Sequence, residues 1–508
     1  MGSHFHRKNK PVTVLYTGYP PSFGASHPLF GYIISNPPSG YQFITPKTSN
    51  PWRAIRLVAP SISLFLSAVA NGAKLDDSME FIRTRQINLQ LCIPANVRLV
   101  FIPNWPYTFG QVPWVIETED VIDLFAPFTW HGQTSSFDVF GAPCYPALKA
   151  LFESSSCKGI ITHIKSTAES LPRLFNNPAL SEKITYIPLG IPLPPRPARL
   201  EKRENDMICL LFTNSWHQGS QNFYLRGGLD VLEAFSILAS RYSNVRLFLR
   251  TTLPPDLDEH YLKIIRDCPV EVLDHFLSRN KMQELVSGSD IFVLPSARVH
   301  SISILEAMAQ GMALVVSDGW GITEYVTDGH NGLVVRGRYG KCSWVDENGM
   351  LREDYSHLFS SDPVVVRGLV DSLSELIEKK EMRERLGQNA RTDVETKFSI
   401  DNWNIGLKKI FDGALQDEVK QRHKGKQIWR GTFRSHEVKN KTSFWGNILR
   451  IGYFWLWVFY HAVSFLPYVA VIKLRGMLFA WLGSIPLVGK TYHGLRKRLS
   501  KKQTQNGL

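Results

Sequence analysis

Short apolar runs punctuate the first 187 residues, separated by longer mixed segments. They fall at 12–16, 41–45, 97–102, 114–116, 159–164 and 184–187, and they are rich in Val, Ile, Tyr and Phe. Polar and apolar positions do not alternate inside them. A strand buried on both faces of a helix-covered parallel sheet has this pattern, because neither face meets water. The pattern breaks at 187–197, where five prolines fall within ten residues (Pro188, Pro192, Pro194, Pro195 and Pro197). Such a stretch excludes both a helix interior and a central strand.

The rhythm then restarts. Strands are predicted at 207–213, 245–251, 270–273, 290–294, 313–317 and 332–335, and helices at 228–242, 280–287, 303–310, 364–380 and 381–397. Short strand followed by helix, repeated, predicts an α/β doubly wound domain. The expected organisation is a Rossmann-like domain over 1–190, a Pro-rich linker over 191–206 and a second Rossmann-like domain over 207–400. Ligands of open α/β sheets bind outside the carboxyl ends of the strands, so both sheets are expected to face a shared cleft.

Charge sets the C-terminal stretch apart. The 508-residue chain carries a net charge of +13. Residues 413–508 hold 17 Lys and Arg against 3 Asp and Glu, which leaves 41 basic and 42 acidic residues in 1–412. A nucleic-acid enzyme spreads positive charge over its working cleft, so nucleic acid is not an expected partner. Residues 451–472 contain no formal charge and crowd Phe454, Trp455, Trp457 and Phe459 at one end. That length can span the ~30 Å hydrocarbon core. His461, Ser464 and Pro467 interrupt it, however, and the aromatic end favours the interface. Flanked by Lys and Arg, the tail over 413–508 is expected to lie on or in an anionic membrane surface as a basic, apolar, helical anchor. The expected location is the cytoplasmic face, peripheral or monotopic. The six cysteines form no CxxC pair and no zinc spacing, as befits scattered thiols in a reducing compartment. The N-terminus lacks an apolar h-region, so no secretory signal is expected.

The densest chemistry lies between Asp290 and Val326. Read physically, it is strand, loop, helix, strand, loop. The helix begins near Ser301–Ser303, where a hydroxyl can cap free N–H groups, and its amino end points to the carboxyl edge of the sheet. Unpaired N–H groups and the helix dipole favour a phosphate there. About one turn on, Glu306 can accept two hydroxyl hydrogen bonds from a diol such as ribose. The competing interpretation of Glu306 is an exposed helix carboxylate.

Ser296, Glu306-Ala307-Met308-Ala309 with Gly311, and Gly321 with Glu324 resemble the signature of glycosyltransferase family 4. These are retaining nucleotide-sugar enzymes of the GT-B fold. The resemblance spans roughly residues 85–400. It implies that Glu306 holds the donor ribose and that Arg226-Gly227 stands where a Lys-Gly binds the donor diphosphate. Three departures stand out. Arg298 replaces the Glu usually found eight positions before Glu306, and the cation upstream of Arg226 is missing, its loop being occupied by Asn214, Ser215 and His217. Glu119 stands where a strand-end His is usual.

The expected catalytic residues are Glu119, Arg226 and Arg298. Asn214, Arg226, Gly227, Arg298, His300, Ser301, Ile302, Ser303 and Glu306 are expected on the donor, and Glu117, Asp120 and His131 on the acceptor. No Asp-x-Asp motif stands at a strand end of the donor half, so neither a metal nor another cofactor is expected. The implied activity is retaining transfer from a nucleotide-diphosphate sugar to a glycan or lipid-linked acceptor at a membrane. The alternatives are a sugar-nucleotide epimerase of similar architecture and a degenerate, non-catalytic glycan- or lipid-binding protein.

Overall fold

Buried β-branched and aromatic runs form two parallel sheets, each covered by helices. A computed structural model describes residues 10–17, 28–45, 94, 96–103, 112–125, 134, 138–141, 145–195, 207–214, 221–275 and 277–421. Both sheets belong to one compact unit. The expected membrane-directed run at 451–472 and the basic end beyond it lie outside the described residues. Among the described residues, no helix is long and apolar enough to cross a membrane.

The first sheet contains β1 (Val12–Tyr16), β2 (Tyr41–Ile44), β3 (Leu99–Pro103), β4 (Trp114–Glu117), β5 (Cys157–Thr162) and β6 (Ile184–Tyr186), in the order β2-β1-β3-β4-β5-β6. Every pairing is parallel. Val14, Leu99, Phe101, Trp114, Ile116 and Ile160 are fully buried along it. Helices α1 (Pro28–Ser35), α2 (Tyr145–Glu153) and α3 (Lys165–Leu174) accompany this sheet.

The second sheet contains β7 (Ile208–Thr213), β8 (Val245–Arg250), β9 (Val270–Val272), β10 (Ile291–Leu294), β11 (Ala313–Ser317) and β12 (Leu333–Val335). Its order is β12-β11-β10-β7-β8-β9, again all parallel. The order reverses between β7 and β10, and that topological switch point is where doubly wound sheets open a crevice for ligands. The helices here are α4 (Gln221–Leu225), α5 (Gly228–Arg241), α6 (Glu259–Asp267), α7 (Arg279–Ser287), α8 (Ser301–Ala309), α9 (Pro363–Glu378), α10 (Lys380–Thr396) and α11 (Ile400–Gln421). Side-chain caps start several of them. Asp258 accepts from His260 N at 2.8 Å, and Asp362, followed by Pro363 at the first helical position, accepts from Val364 N at 2.9 Å.

The chain crosses between the two sheets twice. After the Pro-rich stretch begins, Ile191 bridges to Ser399, Ile191 N donates to Phe398 O and Ile400 N donates to Ile191 O. Gly190 makes this crossing possible, since a Cβ there would stand 2.2 Å from Ser399 O. α11 then returns to the first sheet. Phe411 packs edge-on against Tyr41, Phe43 and Phe101, and Tyr41 Oη donates to Asp412 Oδ1 at 2.5 Å. Residues 413–421, counted with the tail on charge alone, continue this helix.

A hairpin without a sequence prediction, β13 (Ser343–Val345) and β14 (Leu351–Glu353), follows β12. It reaches the first half: Glu353 N donates to Thr134 Oγ1 at 2.7 Å and Thr134 N donates to Glu353 O at 2.9 Å.

Candidate functional site

At the β7/β10 switch point, Arg226 follows α4. Gly227 behind it adopts a left-handed φ of 79°, and a Cβ there would lie 2.5 Å from Pro295 O. The glycine is thus required by contact with the strand-end loop of β10, an internal reason distinct from approach to a ligand. This tight turn buries Arg226, which is 2% exposed. Its Nη1 donates to Thr213 O at 2.9 Å and to Ser303 Oγ at 3.3 Å. The guanidinium is therefore held against the amino end of α8. Burial, with the nearby Arg250 charge adding to it, pushes the Arg226 pKa down.

The start of α8 differs from expectation in one respect. His300 is the N-cap residue and no side chain caps the helix. Ser301 and Ile302 are buried, while Ser303 is part-exposed and accepts from Arg226. Glu306, one turn on, is also part-exposed; its Oε1 accepts from Tyr32 Oη at 2.6 Å. Tyr32 lies on α1 of the first half, so a phenol hydroxyl occupies the carboxylate oxygen that a ribose hydroxyl would seek. Asn214 is buried, with Nδ2 donating to Thr251 Oγ1 at 3.2 Å.

Arg298 lies elsewhere in the crevice. Its Nη1 donates to Glu353 Oε1 at 2.8 Å and its Nη2 to Glu119 Oε1 at 3.3 Å, with a further short ion pair to Asp120. Its guanidinium also stands 5.5 Å from the Trp320 ring centre. These three carboxylates spend the charge that the sequence assigned to the sugar or diphosphate. Burial disfavours the cation, yet Asp120 and Glu353 outweigh it and raise the Arg298 pKa. Desolvation, with Asp120 beside it, holds Asp123 well above the carboxylate range.

The expected acceptor-side carboxylates follow β4. Glu117 and Asp120 are buried, and Glu119 is part-exposed. Glu117 and Glu119 share a partner absent from the sequence prediction: His163, just after β5. His163 is 1% exposed, with Nδ1 2.7 Å from Glu117 Oε1 and Nε2 3.2 Å from Glu119 Oε2. Burial opposes its charge, but the two carboxylate hydrogen bonds outweigh burial and lift its pKa to about 10. The imidazolium is thus a fixed cation at neutral pH. The described cluster brings Glu117, Glu119, Asp120 and Glu353 together with two basic side chains, His163 and Arg298. The remaining acceptor-side candidate, His131, lies outside the described residues.

Glu324 joins the two halves. Its carboxylate accepts from Lys165 N at 2.6 Å and Ser166 N at 3.4 Å, the first N–H groups of α3. Trp320 Nε1 donates to Ser166 Oγ at 3.0 Å, and Tyr325 Oη donates to His163 O at 3.0 Å. The structure thus brings Arg226, Ser303 and Glu306 together on one side. It gathers Glu117, Glu119, Asp120 and Arg298 on the other, and its additions are His163, Glu353 and Tyr32.

Residues 220–345 match the family model described as glycosyl transferases group 1. A Campylobacter jejuni N,N'-diacetylbacillosaminyl-diphospho-undecaprenol alpha-1,3-N-acetylgalactosaminyltransferase is 25% identical over 190 residues. That match takes in 37% of this chain and spans 40% of the relative's length. A glycosyltransferase structure from Rickettsia africae is 11% identical, with a TM-score of 0.46, covering 80% of this chain and 100% of that one. An Anabaena protein crystallised with UDP and glucose is 13% identical, with a TM-score of 0.45, covering 79% and 99%.

Proposed function

We propose, on the premise that residues 220–345 are a glycosyl transferase group 1 domain, that the chain moves a sugar from a nucleotide-diphosphate donor to a lipid-linked or envelope glycan. The observation that carries this is the contact of Arg226 with Ser303 at the amino end of α8, one turn from Glu306 and at the switch point of the second sheet. A buried guanidinium and free helix N–H groups suit a diphosphate, and a carboxylate one turn away suits a ribose diol. The C. jejuni relative is named for a diphospho-undecaprenol acceptor, which supports a lipid-linked acceptor for this chain.

The chemistry assigned to the site is a displacement at the sugar's anomeric carbon. The bond to the diphosphate oxygen breaks with its electron pair leaving on that oxygen. Arg226 and the N–H groups of α8 stabilise the growing charge. The acceptor hydroxyl oxygen bonds to the anomeric carbon from the same face, and its proton passes to the departing phosphate. No metal is required in this scheme, because cationic side chains and the helix terminus carry the leaving-group charge. Arg298 serves as a positioning residue that holds Glu119 and Asp120 at the cleft. The basic, apolar residues of 413–508 place the enzyme on an anionic membrane surface, where such an acceptor resides.

Titration of UDP, GDP and ADP, followed by thermal shift, tests the donor site. One nucleotide is expected to stabilise the protein, and Glu306→Ala and Arg226→Ala are each expected to abolish that effect. A protein indifferent to all three would sink the proposal. The membrane role is tested by flotation with vesicles: binding should require anionic lipid and weaken with salt.

A further inference from the structure

Arg250 ends β8, next to the end of β7, with Thr213 and Arg250 paired across the two strands. Its backbone carbonyl accepts from Asn214 N at 2.8 Å, and its Nη1 donates to Asn214 O in a short hydrogen bond. Arg226 donates to the preceding carbonyl, Thr213 O, at 2.9 Å. Two guanidiniums are thus anchored on consecutive carbonyls at the carboxyl end of β7, beside the switch point. Arg226 lies within reach of the Arg250 charge, and like charges within reach of each other disfavour a site that holds no anion. Burial lowers the Arg226 pKa and the charge of Arg250 adds to that shift, while Arg250 is itself lowered by burial. The charge of Glu306 acts on Arg250 in the opposite sense, so Arg250 lies within electrostatic reach of both Arg226 and Glu306.

We infer that Arg250 is a second donor-binding cation, forming with Arg226 a paired guanidinium clamp for the diphosphate of the donor. The inference rests on the proposed donor site and extends it. Its physical basis is that a diphosphate relieves the mutual repulsion of the pair while offering each fork two oxygens. Each cation is oriented beforehand by a main-chain carbonyl, so little side-chain freedom is lost on binding. Asn214 is tied to the same arrangement, because its main-chain N and O both bond to Arg250. The Asn214 side chain, bonded to Thr251 Oγ1 and 3% exposed, fixes the turn between them.

The test uses the full chain and calorimetric titration with UDP, GDP and ADP and with the parent nucleosides, comparing wild type, Arg250→Gln and Arg250→Lys. For the diphosphate that wild type binds, Arg250→Gln is expected to raise Kd by about tenfold or more, the loss of one charge-assisted hydrogen-bond partner. Nucleoside affinity should be unchanged, and Arg250→Lys should fall between. Equal diphosphate affinity in Arg250→Gln and wild type would overturn the clamp. So would a parallel loss of nucleoside and diphosphate binding, because that pattern means Arg250 merely supports the strand end. If wild type binds none of the three diphosphates, the donor site itself falls and the clamp with it. Should Arg250→Gln fail to fold, Arg250→Lys alone decides: its diphosphate-to-nucleoside affinity ratio must drop relative to wild type.

Discussion

The partners around Arg298 decide what its guanidinium can do. Its guanidinium is 14% exposed and holds Glu353 and Asp120, whose side chains are 3% and 0% exposed. Removing the cation leaves buried carboxylates without a counter-charge, which typically costs about 3–5 kcal/mol. Arg298→Gln is therefore expected to lower the melting temperature sharply. Arg298→Glu should be worse because it adds another carboxylate to the group. A melting temperature for Arg298→Glu equal to wild type would refute the ion-pair role. His163 gives a pH prediction of definite sign. Its pKa is about 10 in the folded chain, against ~6.5 for a free imidazole. A raised pKa means that its stabilising charge is complete below ~6.5 and is lost as pH climbs through about 10. Thermal stability should decline across that window, and His163→Gln should flatten the decline while melting lower at neutral pH.

At the scale of elements, α3 begins without a cap of its own: Ile164 occupies the N-cap position and offers no side-chain acceptor. Glu324, from the loop after β11, supplies the acceptor across the two halves. Glu324→Ala should cost about 1 kcal/mol, the usual worth of a cap with its dipole interaction, and Glu324→Gln should recover part of it. Denaturant melts would check the ranking; equal stability of Glu324→Ala and wild type would show that α3 is capped otherwise. The strands of both sheets were legible in the sequence because burial on two faces leaves unbroken apolar runs. α5, α7, α8, α9 and α10 were legible as longer mixed segments placed between the predicted strands. α8 begins at Ser301, two residues before the predicted 303, and without a side-chain cap. The β13–β14 hairpin was not legible, because three-residue strands carry too little pattern, and with it went Glu353. His163 and Arg250 had a weak signal: both stand at the carboxyl end of a predicted strand, where doubly wound sheets place ligand-facing residues. Tyr32 had none, since its bond to Glu306 spans 274 positions of sequence.

For the molecule as a whole, the return of α11 to the first sheet decides how the halves are coupled. The second half ends in sequence at α10, yet the chain continues through Phe398 and Ile400, which hydrogen-bond around Ile191, into a helix that covers the first sheet. Phe411 is fully buried among Tyr41, Phe43 and Phe101, while Gly159 leaves room for Ile410. α11 covers the first sheet from beyond the second half, whereas the core of the second half draws only on residues between Ile208 and Leu386, so the halves should unfold together only while α11 stays docked. Truncating Phe411 to Ala removes a core aromatic worth about 3–5 kcal/mol. That loss falls on the first half only. The expected calorimetric result is a single transition for wild type and, for Phe411→Ala, an earlier step in which the first sheet melts while the second persists. A nucleotide diphosphate should then raise the later transition more than the earlier one, because Arg226, Ser303 and Glu306 all belong to the second half. A single, uniformly lowered transition in Phe411→Ala would mean that the Glu324, Trp320 and Arg298 contacts, and not α11, bind the two halves into one folding unit.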